Sequence, residues 1–261
     1  MSGLVSLSTG GTSRRQAVLT LAVLTGPCAW ARDADDALGT VRDLWARYRL
    51  GVETEQETVR VRVEREGQAP ELKRLQRSLR FRPDGGFIVL VRFLEPALDK
   101  GLSLLIEQSP GKPALMALRM PSWPQARRIA GDREARSFGG TDLTFEDNRQ
   151  LLGEAVADWQ YRALEGGRIE AQPRAGTASG YGRRVLQVTA EGGLAQVDYF
   201  DAAGRWLKTQ RQDGLQVGPG GRWRADRVVV SVAGGRSLFE VEQRQFGLNL
   251  TEAWFQAQLA A

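Results

Sequence analysis

Between residues 59 and 66 the chain reads VRVRVERE, and the alternation is complete: Val59, Val61 and Val63 fall on one face, Arg60, Arg62 and Glu64 on the other. That period of two predicts a strand with one covered and one wet side. Two further strands flank the turn Pro83-Asp84-Gly85-Gly86. In the second of them Phe87, Val89, Val91 and Phe93 make one wholly apolar face. Ile88, Leu90 and Leu94 make the other, broken by Arg92, so this strand is expected to be covered on both sides. GLSLLIEQ and ALMALRM follow, each with a continuous apolar face (Leu102, Leu104, Ile106, then Ala114, Met116, Leu118, Met120).

The same rhythm resumes after residue 157. Strands are predicted over 158–164, 182–190, 195–199, 205–211, 223–232 and 237–246, with glycine-rich turns around residues 191–193, 201–204, 218–221 and 233–235. Neighbouring strands on short turns make an antiparallel meander. About ten strands exceed what a flat open sheet holds, so the sheet should curl toward a barrel. One helix precedes it: Leu38, Val41, Leu44, Trp45 and Tyr48 recur at helical spacing, Asp33, Asp35 and Asp36 suit its N-terminus, and Gly51 ends it. So little helix cannot cover the whole sheet, and its apolar faces either pack together or enclose a cavity for apolar ligands.

Composition narrows the chemistry. The 261 residues contain no histidine and one cysteine, Cys28. A Ser-His-Asp triad, a Cys-His pair and a histidine metal site are excluded. The net charge of +5 is too small to argue for nucleic acid. At the N-terminus, Arg14-Arg15, an apolar run over 17–24 and Ala29-Trp30-Ala31 have the order of an export signal of the twin-arginine type, with cleavage expected after Ala31. The apolar run is far short of the ~20 residues a membrane span needs. Residues 32–261 then form a single domain.

The stretch SFGGTDLTFEDN, residues 137–148, carries a glycine pair, three carboxylates and two phenylalanines. It lacks the glycine spacing and lysine of a nucleotide loop and the alternating acidic spacing of a calcium loop. Gly139-Gly140 permits a tight turn, and Thr144 with Asp147 three residues later has the form of a helix start. Phe138, Leu143 and Phe145 are then presented by a loop-plus-helix element, a natural lid for a half-covered sheet.

These residues carry a resemblance. The stretch is similar to the F-x-G-S-D-[FL]-[ST]-x-[ED]-D signature of the outer membrane lipoprotein-sorting protein family, relatives of the LolA-like periplasmic carriers. PSWPQARRIAGDREARSF, VDYFDAAGRWLKTQR, GGRWRADRVVVSV and LTEAWFQAQLA resemble further segments of that family. Thr141 stands where the family has serine, and Ala225 where proline is common. The resemblance implies a mainly β (α+β) fold: an unclosed, strongly curved antiparallel β-barrel of about ten or eleven strands with a helical lid. It implies a non-enzymatic protein without cofactor or metal that binds lipoprotein acyl chains or phospholipid and touches membranes transiently. A second reading is an accessory or adaptor of an inner-membrane RND-type exporter. The expected cavity lining is Phe87, Val89, Val91, Phe93, Leu104, Met116 and Leu118. The expected lid is Trp123, Phe138, Leu143 and Phe145, with Arg127 and Arg128 as headgroup contacts.

Overall fold

The computed structural model describes residues 28–150 and 155–260, and of residues 28–34 the backbone alone. The export signal read from the sequence lies, up to residue 27, outside the described residues.

The chain forms helix α1 (Cys28–Arg49) and then six strands: β1 (Thr54–Arg65), β2 (Glu71–Phe81), β3 (Phe87–Glu95), β4 (Ser103–Gln108), β5 (Leu115–Arg119) and β6 (Arg127–Ile129). The short helix α2 (Phe145–Gln150) follows. Seven more strands come next: β7 (Trp159–Leu164), β8 (Arg168–Pro173), β9 (Arg183–Val188), β10 (Leu194–Phe200), β11 (Trp206–Val217), β12 (Trp223–Val232) and β13 (Gly235–Phe246). Helix α3 (Glu252–Ala260) ends the described chain.

All thirteen strands belong to one sheet, in which each strand lies antiparallel to its chain neighbour and β1 also pairs with β13. The two edges are β6 and β7, consecutive in the chain yet unpaired with each other. The result is an unclosed, curved antiparallel barrel. The count exceeds the ten or eleven strands expected. β6 is only three residues long, and β8 follows a tight Gly166-Gly167 turn with Ile169 and Ala171 as its only apolar inward positions. Neither is long or apolar enough to announce itself by alternation.

α1 begins at Cys28, so Asp33, Asp35 and Asp36 lie within it rather than at its N-terminus. Its stripe of Val41, Leu44, Trp45 and Tyr48 is buried in the concave side of the sheet. There the Trp223 indole donates to the Leu44 carbonyl at 3.0 Å, and Tyr48 packs edge-on to Phe81. β3 is covered on both faces, as its sequence required. Its odd positions enter the concave core, while Ile88 and Leu90 join Leu105, Leu250, Phe255 and Leu259 in a separate cluster beneath α3. Arg92, the polar interruption, holds that helix: it donates to Gln258 Oε1 at 3.0 Å and to Ser103 Oγ at 3.1 Å.

A β-bulge adjusts the register between β1 and β13. Val59 faces Val241 but Thr58 faces Gln243, so Glu242 is skipped. The skip changes the parity of β13 and brings Arg244 opposite Glu57 on the concave side.

Phe255 is fully buried between α3 and the convex face. Phe255→Ala should cost about 3–5 kcal/mol in urea unfolding, the scale of an emptied core phenylalanine. A loss under about 1 kcal/mol would mean that α3 does not stabilise the sheet it covers.

Candidate functional site

The inward residues of β3, β4 and β5 line up across the sheet. Val91, Leu104 and Leu118 form one cross-strand row, and Val89, Ile106 and Met116 the next. With Phe87 and Phe93 they make a continuous apolar wall, every member 9% exposed or less. The structure thus brings together all seven residues named from sequence as the lining.

Opposite this wall sits the segment that joins the two free edges. Ser137 and Thr144 form an isolated antiparallel bridge, and Phe138 N–H donates to the Leu143 carbonyl at 2.9 Å. Between them Gly139 and Gly140 both adopt positive φ, +61° and +71°. Gly139 is required twice over. Besides its left-handed backbone, a Cβ there would lie 2.3 Å from Cζ of Phe93. This close approach puts Phe138 against Phe93, with ring centroids 5.4 Å apart, and Phe145 against Phe138 at the same distance. Leu143 is buried with them.

The remaining predicted residues are more peripheral. Trp123, in the β5–β6 connection, is half-buried against the core, with the Arg127 guanidinium 4.2 Å above its ring. Arg128 faces Ala117 across the short pairing with β5 and is exposed.

The three carboxylates of the 137–148 stretch are not left to water on a surface turn. They fasten the segment to the barrel. Asp142 accepts both Nη atoms of Arg65, at 2.9 and 3.1 Å, and the hydroxyl of Ser237 at 2.6 Å. Asp147 is fully buried. It caps α2 reciprocally with Thr144, as expected from their spacing, and also accepts the Tyr181 hydroxyl at 2.7 Å and the ammonium of Lys208. Lys208 reaches Asp142 as well, through its carbonyl at 3.2 Å. Glu146 accepts Ser179 Oγ at 2.6 Å and Gly180 N–H at 2.8 Å. Burial pushes its carboxyl above the ordinary glutamate range, and burial together with Asp147 does the same to the Tyr181 phenol. The short-range pattern showed the cap, but the ion pairs join residues 61 to 77 positions apart and leave no local sequence signal.

The concave face also carries a buried charge cluster that strand alternation did not reveal. β1 starts at Thr54, and its first inward residues are Glu55 and Glu57, 1% and 2% exposed. Arg224 binds Glu55 through Nε and Nη2, at 3.0 and 2.7 Å to Oε2, while its guanidinium lies 3.9 Å over the Tyr48 ring. Glu57 is shared by Arg244 at 2.6 Å and Arg77 at 2.5 Å. Burial drives the Glu55 carboxyl up, helped by the negative charge of Glu57. Burial acts on Glu57 too, but Arg77 and Arg244 more than offset it and hold that carboxyl low.

Between the charges and the apolar wall lies a space of about 70 Å³, bordered by Glu57, Arg77, Val91, Leu143, Asn148 and Phe239 among others. It is well below the few hundred Å³ of an ordinary small-molecule site. In this form the wall and the 137–150 segment pack on each other. Two larger recesses, of about 490 and 410 Å³, both border Ala155 and Ala157.

A protein-family model whose description reads "Uncharacterized protein" matches residues 88–259, well over half of the chain. The chain belongs to this family. No curated protein matches the sequence. Among solved structures, a putative outer membrane lipoprotein-sorting protein domain from Vibrio parahaemolyticus superposes with a TM-score of 0.78 at 19% identity, over 87% of this chain and 99% of that one. A DUF1329 family protein from Desulfovibrio piger gives 0.76 at 19%, over 85% and 97%. A LolA superfamily protein from Nitrosomonas europaea gives 0.63 at 18%, over 84% and 96%. These neighbours share the unclosed barrel, and the names of the Vibrio and Nitrosomonas proteins are of the kind to which the 137–148 stretch pointed.

Lys208→Met would leave Asp147 buried without its cation, and should cost about 3–5 kcal/mol. It should also speed amide hydrogen exchange over residues 137–150 ahead of the rest of the chain. Exchange that is uniform or unchanged would remove this ion pair as the fastening of the segment. Gly139→Ala should cost about 1–3 kcal/mol through its collision with Phe93.

Proposed function

We propose that the protein is a non-enzymatic periplasmic carrier. It binds acyl chains of lipoproteins or lipids inside the unclosed barrel and moves them toward the outer membrane. One observation carries this reading: the concave apolar face is closed by a fastened segment, residues 137–150, instead of by pairing of β6 with β7. Such a segment can lift without breaking a strand ladder. An acyl chain that replaces Phe138, Leu143 and Phe145 against Val91, Phe93 and Leu104 restores the burial that lifting removes. Each methylene so covered contributes roughly 0.8 kcal/mol, so a long chain binds without directed polar contacts.

The name of the Vibrio neighbour, a lipoprotein-sorting protein domain, supports the same class of ligand, and the export signal read from the sequence supports the compartment. We assign headgroup contact to Arg127 and Arg128, an assignment supported by their exposure on the edge strand β6. The absence of histidine supports a binding role over catalysis.

Native mass spectrometry with lipid extraction, on protein purified from the periplasm, tests this. A co-purifying phospholipid or acylated peptide is expected. Protein that stays empty even after incubation with acylated peptide overturns the carrier and leaves an adaptor of an RND-type exporter as the alternative. Val91→Asp or Leu104→Asp, in protein that still folds, should abolish uptake. Unchanged uptake would falsify the lining.

A further inference from the structure

The small space beneath residues 137–150 has two unlike ends. Val59, Leu75, Val91, Leu143 and Phe239 make it apolar, while Arg77 and Glu57 make it charged. A site for hydrocarbon alone has no use for a buried arginine, because desolvating a guanidinium is costly unless it is fully paired.

Arg77 is not fully paired. It projects inward from β2, and 18% of its side chain remains accessible where it borders this space. Its contacts among the described residues both run through Nη2, to Glu57 at 2.5 Å and to the Tyr48 hydroxyl at 3.5 Å. Nε–H and Nη1–H donate to none of them. A guanidinium presents its donors as a planar fork that fits a carboxylate with two parallel bonds.

The surrounding charge has the matching sign. Arg77, Arg224 and Arg244 meet only Glu55 and Glu57 as buried anions. Asp226, the remaining partner of Arg244, is half exposed. Glu57 is divided between two of the arginines. Among buried groups the cluster has three cations to two anions, Asp226 supplying the third carboxylate from a half-exposed position at 2.9 Å from Arg244, and Arg77 is the arginine that borders open space. That space has room for a few water molecules' worth of volume. This suits a carboxylate with its first methylenes better than a phosphodiester with its glycerol.

We propose that the interior takes a single-chain amphiphile with a carboxylate head, a long-chain fatty acid, seated with its carboxylate on Nε and Nη1 of Arg77. This rests on the carrier reading and names its ligand. The chain runs from Arg77 along Val91 and Leu104, in the place that Leu143 and Phe138 occupy in the structure. For this ligand the head group points into the protein, whereas the larger head of a phospholipid or acylated peptide would stay at the rim beside Arg127 and Arg128.

The test is displacement of the neutral fluorophore N-phenyl-1-naphthylamine by palmitic acid, its methyl ester and hexadecanol, each below its aggregation concentration. The wild type should prefer the acid by roughly tenfold or more, the scale of a charge-assisted hydrogen bond. The preference should vanish in Arg77→Met, with ester binding retained. Glu57→Gln, which releases Arg77 from its closest anion, should tighten the acid and leave the ester unchanged; it also serves if Arg77→Met fails to fold. Equal binding of acid, ester and alcohol by the wild type overturns the proposal and leaves the carrier standing. An acid preference that survives in folded Arg77→Met overturns the seat at Arg77. No binding of any of the three overturns the carrier reading and this one with it.

Discussion

A sheet that curls but does not close leaves an apolar hollow with two raw edges. β6 and β7 are neighbours in the chain, yet they do not pair, so the hollow cannot be sealed by extending the ladder. Exposed apolar surface of that size and unpaired edge groups are both unfavourable in water. The chain resolves both with the segment between the edges, whose rings pack on β3 while α1 fills the other part of the hollow. Most other features of the molecule, including the positive-φ glycine pair and the far-reaching carboxylates, serve that arrangement.

The segment is held in two ways that respond differently to a ligand. Apolar contact between Phe138, Phe145 and Phe93 is nondirectional, so hydrocarbon can replace it. The ion pairs of Asp142 with Arg65 and of Asp147 with Lys208 are directional, the first partly buried and the second fully so. They define where the segment returns. Because Arg65 and Lys208 stand on β1 and β11, away from β6, these two pairs fasten the segment across the barrel, while Glu146 holds it to Ser179 and Gly180 ahead of β9. Opening it requires breaking those pairs or swinging about them.

Buried charge divides the interior. The β3–β5 wall is free of charge, whereas the inward faces of β1, β2, β12 and β13 converge on Glu55, Glu57, Arg77, Arg224 and Arg244. Replacing such a cluster by hydrocarbon is generally neutral or stabilising, so stability alone does not account for it. It stands at the end of the space beside the apolar wall that Val91 and Leu143 both border, which is where the proposed fatty-acid carboxylate would sit.

Several features were settled by the sequence alone, because each depends on residues close together in the chain. Alternation through Val59, Val61 and Val63 set the strand and its buried side. The double-sided run from Phe87 to Leu94 required a second covering layer, which α3 provides. Thr144 and Asp147 announced a helix start that the structure contains. The glycine pair at 139–140 marked a turn. What the tertiary structure decided depends on partners distant in sequence. A carboxylate at residue 55 reads as solvated until an arginine 169 positions later lies beside it. The skip at Glu242 turns Arg244 inward, and only pairing with β1 reveals it. β6 and β8 are strands because neighbours hold them, not because their own residues alternate. Local pattern therefore fixed the sheet and its faces, while the placement of charge within the hollow was fixed by long-range pairing, which no local pattern encodes.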